Sequence, residues 1–242
     1  MNHVRTLLSV ALLCLLFPTF IYAATPEYGV RLGISLGSPV PIGNIPQGST
    51  GAAVVGLVAG GTVNWDFGGP WSVVSELQYV HYGSTFSSPL SNQPYIDKVP
   101  VSAPDGTQVI YEVNTTFTGT TSGSFSNDYV QLPVLASYKA SDKVRILAGT
   151  YLGWLFATHS HAKGVGTVGI RPEVVEKDMY FGEKLNGVDY GLQLGANYAI
   201  SKYLAFDIRC TMGLTSIFDQ QFKTVDQTVR NVYAHLSIVY SI

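Results

Sequence analysis

Between Tyr28 and Gly37 every second residue is apolar: Tyr28, Val30, Leu32, Ile34 and Leu36 alternate with Gly29, Arg31, Gly33, Ser35 and Gly37. A period of two predicts a β-strand with unlike faces. The same reading gives seven more strands. The second sets Val55, Leu57, Ala59, Gly61, Val63 and Trp65 against Val54, Gly56, Val58, Gly60, Thr62 and Asn64. A turn at Asp66-Phe67-Gly68-Gly69-Pro70 leads to a third, with Val73, Ser75, Leu77 and Tyr79 against Glu76 and Gln78. The fourth alternates from Tyr129 to Tyr138, the fifth from Val144 to Phe156 and the sixth from Val188 to Tyr198. The seventh runs from Leu204 to Leu214 and the eighth from Asn231 to Ile242.

The connections alternate in length. Those after strands two, four and six are tight, whereas those after strands one, three, five and seven span Ser38 to Ala52, Gly83 to Asn127, Thr158 to Gly187 and Ser216 to Val229. Short turns on one rim, long loops on the other and an even strand number describe an all-β, eight-stranded antiparallel transmembrane barrel with long extracellular loops. In the longest loop, Tyr95 to Ser102 and Thr107 to Val113 flank Pro104-Asp105-Gly106, which predicts a hairpin projecting from the barrel.

Side-chain size sets the sidedness. Eight strands enclose a space only just wide enough for side chains to fill. The polar face mixes glycine with Arg31, Glu76, Arg145, Asp207 and Arg209, so it is expected inside, with the apolar face toward lipid. Arg31, Arg145 and Arg209 are then expected to meet Glu76, Asp189 and Asp207 in the lumen, as a plug of paired charges or, alternatively, as a proton or ion path. Tyr28, Trp65, Trp71, Tyr138, Trp154, Phe156, Tyr198 and Tyr240, near strand ends, suit two interfacial girdles.

Composition agrees with a membrane protein built from strands. Only 12% of the 242 residues are charged and the mean hydropathy is +0.21, whereas soluble domains average about 25% charged. Outside the N-terminus no apolar run approaches the roughly 18 residues that a spanning helix needs. Met1 to Ala24 has a basic start at His3 and Arg5, an apolar centre from Leu7 to Phe17, and small residues at Ala23 and Ala24. This is the layout of a secretory signal, so residues 1–24 are expected to be a leader and 25–242 the barrel domain, with nothing following the last strand. Cys14 lies in the leader; Cys210 alone remains, which offers no disulfide, redox pair or Cys/His metal spacing. A net charge of −2 gives no footprint for nucleic acid.

Several strand motifs resemble the PorT-like outer-membrane β-barrel proteins of Bacteroidota-type bacteria. They are Tyr28-Gly29-Val30-Arg31-Leu32-Gly33, Glu76-Leu77-Gln78-Tyr79, Asp128-Tyr129-Val130-Gln131-Leu132-Pro133, Ala148-Gly149-Thr150-Tyr151-Leu152-Gly153, Asp189-Tyr190-Gly191-Leu192 and the strand opening at Arg230-Asn231. The resemblance extends to a proline inside a strand, Pro133. The chain departs from many outer-membrane strands in ending on Ile242 rather than Phe. The resemblance implies a fold and a membrane rather than one activity; one namesake serves protein secretion.

Some small barrels hydrolyse lipid or peptide with Ser, His and Asp or Glu near the outer rim, and the candidates here are His81, Ser84, Asp128, His159, Ser160 and His161. His159 and His161 share a side of an extended segment, but no third metal ligand follows at an informative spacing. All are read as polar rim residues. No catalytic, cofactor-binding or metal residue is assigned, and the chain is not expected to be an enzyme. Gly164-Val165-Gly166 is no phosphate loop, because no strand-to-helix context follows it. The expected protein sits in the cell outer membrane with its lumen filled by side chains. Its partners are the lipid bilayer and a protein or surface ligand at the external loops. The rival readings are a narrow pore, a secretion-system accessory and a lipid-modifying enzyme of the envelope.

Overall fold

The computed structural model describes residues 25–43, 45–102, 105–170, 173–180, 185–219 and 228–242. The expected leader, Met1 to Ala24, and Pro104 of the expected hairpin turn lie outside them. Eleven strands follow in order: β1 Thr25–Ile42, β2 Thr50–Val54, β3 Gly56–Asp66, β4 Trp71–Ser102, β5 Gln108–Lys139, β6 Val144–Thr158, β7 His161–Val168, β8 Val174–Tyr180, β9 Val188–Ala199, β10 Leu204–Gly213 and β11 Thr228–Ser241.

Eight of them close a ring in the order β1, β3, β4, β5, β6, β9, β10, β11, each antiparallel to its neighbours. The ring shuts where β11 returns to β1, from Gly29 opposite Ser241 to Ile42 opposite Thr228. These staves are the eight strands that alternation predicts. Thr25 pairs with Asp66 and Leu204 with Tyr240, so the start of β1 and the end of β11 lie on the rim of the short turns.

The long loops hold more order than the pattern showed. β4 and β5 stay paired beyond the barrel as far as Ser102 opposite Gln108, with one register shift between Leu90 and Gln93. This is the expected projecting hairpin. Each strand has 32 residues, whereas a tilted strand crosses the bilayer in about ten. Some twenty residues of each therefore stand outside, or about 65 Å along the strand at about 3.3 Å per residue. β2 pairs with residues 83–87 of β4, β7 with residues 117–124 of β5, and β8 with β7. Together they make an external sheet in the order β2-β4-β5-β7-β8. The expectation of plain loops at Ser38 to Ala52 and Thr158 to Gly187 is thus corrected. β2, Thr50-Gly51-Ala52-Ala53-Val54, is exposed throughout and has no apolar face to read. It is a strand because the prolonged β4 offers it an edge.

Sidedness in the barrel follows the expected rule. Leu192 and Ile208 are 49% and 47% exposed on the outside, while the adjoining Gln193 and Arg209 are 2% and 3% exposed inside. Trp71 and Tyr138 (rings 4.8 Å apart) and Tyr203 and Tyr240 (6.4 Å) stand at the short-turn rim. Trp154 and Phe156 stand at the other. A lumen this narrow bends the sheet sharply, and the inward glycines are where neighbours come closest. A Cβ built on Gly195 would meet the Ile208 carbonyl oxygen and stand 2.7 Å from Arg209 Cγ. Glycine here makes the space that the arginine fills.

Lipid-facing Gly61, by contrast, has open space where a Cβ would stand. We expect Gly195→Ala to lower the temperature at which the barrel loses its heat-modifiable gel mobility, and Gly61→Ala to leave it unchanged.

Candidate functional site

The lumen is organised in layers of side chains delivered by alternation. Nearest the short-turn rim, β1 supplies Arg31, β4 Glu76, and β10 Asp207 and Arg209, all at most 5% exposed. Arg209 donates from Nη2 and Nη1 to Glu76 Oε1 and Oε2 at 2.7 and 2.8 Å, a bidentate pair. Arg31 Nη1 reaches Glu76 Oε2 at 3.1 Å and its Nη2 reaches Asp207 Oδ1 at 3.0 Å, while Arg209 Nε lies 2.9 Å from Asp207 Oδ1. Two cations and two anions balance in a closed quartet. The expected plug is therefore smaller than six charges. Arg145 lies at the rim and donates to Ser72 Oγ at 3.0 Å. Asp189, at the opposite end of the lumen, is held by neutral donors: Tyr151 OH at 2.8 Å, Asn231 Nδ2 at 2.9 Å and Thr215 Oγ1 at 2.5 Å. Its register near the outer end of β9 separates it from the quartet.

Above the quartet, Gln78 Nε2 donates to Gln131 Oε1 at 3.1 Å, and Gln131 Nε2 donates to Tyr82 OH at 3.1 Å. Tyr82 stacks on Tyr233 with ring centroids 3.9 Å apart. At the mouth a buried apolar cluster of Phe125, Ala162, Leu185, Ile217, Phe218 and Val229 makes a lid. Charge, amide, aromatic ring and hydrocarbon thus fill the barrel in turn. The arrangement holds β-strands together, and among the described residues the outermost layer of the lumen is apolar.

The rim residues are only partly brought together. His81 Nδ1 is 2.7 Å from Asp128 Oδ1, and Tyr79 OH donates to the same oxygen at 2.6 Å. Ser84 is buried, on the inward face of β4, away from His81. Ser160 donates to Asn127 Oδ1 at 2.8 Å and accepts from the Ser126 amide at 3.0 Å. His161 is exposed, its Nδ1 3.4 Å from Ser124 Oγ. The histidine–carboxylate pair and the serines therefore do not meet as nucleophile, base and orienting acid. Among the described residues no three His, Cys, Asp or Glu side chains converge in a way that could hold a metal.

The external sheet carries residues that the sequence reading passed over. It curls until β8 meets β4: Lys177 Nζ lies 2.9 Å from Asp97 Oδ1 although two strands separate them. Phe117, 1% exposed, fills the concave side opposite Gly166. Tyr95 lies beside it, ring centroids 6.1 Å apart. Burial, and then Asp97, push the Tyr95 hydroxyl above its usual range, with Lys177 offsetting part of the shift. Beyond Asp97 the concave face opens into an apolar cleft of about 480 Å³, lined by Val99, Val101, Tyr111, Val113, Val168 and Ile170 among others. The overlooked signal was the alternation of small residues Ala162, Gly164 and Gly166 with His161, Lys163 and Val165. It is a strand pattern in which the inner face is glycine rather than hydrocarbon.

A family model described as outer membrane protein beta-barrel domain matches residues 24–219. Among solved structures, the chain is similar to Ail, the attachment invasion locus protein of Yersinia pestis. The two are 12% identical over 90% of this chain and 99% of that one, with a TM-score of 0.43. Neisserial surface protein A is 9% identical over 89% and 97%, with a TM-score of 0.42. No curated protein matches.

Removing one member of a buried ion cluster leaves its partners unpaired, at a cost of about 3–5 kcal/mol. Glu76→Ala should accordingly lower the urea midpoint of the refolded barrel by that equivalent, because it leaves Arg31 and Arg209 with Asp207 as their one shared anion. Glu76→Gln, which keeps two acceptor or donor positions, should lose less.

Proposed function

The chain belongs to the family of outer membrane protein beta-barrel domains, and from that premise we propose that it is a surface-binding protein: the barrel is a sealed support, and the external sheet does the recognising. The barrel lies in the cell outer membrane, its apolar face against the lipid bilayer. The observation that carries the proposal is the prolongation of β4 and β5 well past the membrane, ending in an apolar cleft. Val101, Tyr111 and Val113 are 46%, 56% and 46% exposed there, far beyond the reach of hydrocarbon. Apolar surface held in water marks an interaction site. The lining, apolar with one ion pair at its base, suits the apolar side chains of a polypeptide.

The finer PorT-like assignment rests on the motifs at Tyr28-Gly29-Val30-Arg31, Asp128-Tyr129-Val130-Gln131-Leu132-Pro133 and Asp189-Tyr190-Gly191-Leu192, whose Arg31, Gln131 and Asp189 all enter the lumen. Met1 to Ala24 would be removed as a leader. The non-enzymatic reading is supported by Asp128 being taken up by both Tyr79 and His81, and by the inward burial of Ser84 and Ser160.

Two measurements test this reading. A displayed peptide library selected against the nanodisc-bound protein should enrich apolar and aromatic sequences that Val101→Asp and Val113→Asp no longer retain. Enrichment unchanged by those substitutions would overturn the cleft as the recognition site. In planar bilayers the refolded protein should pass no steady current; a sustained conductance would make it a pore.

A further inference from the structure

Along the outward side of β5 one alternating series crosses two solvents. Tyr138, Ala136, Val134, Leu132 and Val130 face hydrocarbon, and Asp128 follows at the rim. From there the outward residues are Ser126, Ser124, Ser122, Thr120, Thr118 and Thr116, six hydroxyls without interruption. The inward positions between them, Phe125, Gly123, Thr121, Gly119 and Phe117, belong to the lid and the concave core of the curled sheet. The hydroxyl series is thus confined to one face.

Neighbouring strands widen it. Thr85 of β4 pairs with Ser124 and Ser87 with Ser122, while on the other flank His161 of β7 pairs with Ser124, Lys163 with Ser122, the apolar Val165 with Thr120, and Thr167 with Thr118. Some of these groups are engaged within the protein. Thr118 Oγ1 accepts from the Asn92 amide at 2.9 Å, and Ser124 Oγ lies 3.4 Å from His161 Nδ1. The Thr120 and Ser122 hydroxyls have no hydrogen-bond partner among the described residues, and Thr120 and Ser122 are exposed. Lys163 is ion-paired with Glu176 of β8, and Asp178 stands beside it. The face therefore presents many neutral donors and acceptors and little uncompensated positive charge.

We propose that this hydroxyl face is where the protein meets the saccharide headgroups of the glycolipid that surrounds it in the outer leaflet. Continuity with the lipid-facing band decides between occupants. The array begins one alternation above Asp128, on the same face of the same strand as Leu132 and Val134, and rises about 33 Å along the strand at about 3.3 Å per residue. Any headgroup layer attached to the acyl chains beside Leu132 must lie against it. Sugar hydroxyls exchange hydrogen bonds with a neutral hydroxyl array, and the balanced charge of Lys163, Glu176 and Asp178 gives a phosphate no preferred anchor. A wholly apolar face would oppose a hydrated layer, and a run of like charges would repel part of it. Serine and threonine do neither, and the β-branched threonines favour an extended β5. This inference is independent of the distal cleft, which opens on the opposite face of the sheet.

The test uses the full barrel in nanodiscs of phospholipid with and without lipopolysaccharide. A benzophenone side chain replacing Val165, which lies within the array, should crosslink to lipopolysaccharide; one replacing Val113, on the opposite face, should not. Lipopolysaccharide should also raise the unfolding temperature of the wild type, and the double substitution Thr120→Val with Ser122→Val should lose most of that rise while keeping heat-modifiable mobility in plain phospholipid. Equal crosslinking from both faces would overturn the proposal, as would a rise retained in full by the double variant. A third arm supplies the deacylated saccharide in solution. Capture of that saccharide at Val165 in plain phospholipid nanodiscs, as efficiently as the membrane-bound form, would overturn the lipid headgroup as the occupant in favour of a free glycan.

Discussion

Hydrocarbon offers no hydrogen bonds, so every backbone amide and carbonyl of a spanning strand must find its partner in another strand. That constraint forces the ring to close between β1 and β11, and closure with eight strands sets a radius too small for a water-filled channel. Most other features of the molecule follow from this geometry. The inside must be filled, and filled by the residues that alternation sends there.

Filling a lumen with polar groups is stable only when they answer one another. The quartet of Arg31, Glu76, Asp207 and Arg209 does so with equal charges of each sign, each within 3.1 Å of a partner. Asp189 shows a second solution, a carboxylate stabilised by three neutral donors. The two solutions sit at different depths because their neighbours differ. Toward the mouth the lumen passes through amide and phenol layers to the apolar lid, and the Asp189 carboxylate there is answered by hydroxyl and amide groups. Glycine is the counterpart of these long side chains, and Gly195 beside Arg209 shows the exchange of volume directly.

The barrel was legible in the sequence because its two faces meet unlike surroundings. Val30, Leu32 and Ile34 must be apolar and Arg31 and Ser35 must not, so a period of two is written in hydrophobicity. The sheet outside the membrane has water on its convex side and glycine within its curl. β7 alternates His161, Lys163 and Val165 with Ala162, Gly164 and Gly166, a contrast of size rather than polarity. β2 has no contrast at all. Likewise the charges that enter the lumen could be named, but not their depth, since depth follows from strand register: Arg31 stands opposite Gly60 and Val239, and Asp189 opposite Gly153. The pairing of His81 with Asp128 across β4 and β5 is a register fact of the same kind.

The quartet also orders events in time. Glu76 is on β4, the third stave of the ring, yet its two guanidinium partners come from Arg31 at the beginning of the barrel and Arg209 on the last stave but one. Until the chain ends join, at least one of these ions faces an open seam beside lipid without its full complement of opposite charges, a state that raises the energy of any partly assembled intermediate. Zipping of the seam and electrical neutralisation of the interior are therefore one cooperative act. A chain interrupted before β10 would lack both Asp207 and Arg209, leaving Arg31 and Glu76 with one ionic partner each in a lumen that cannot close.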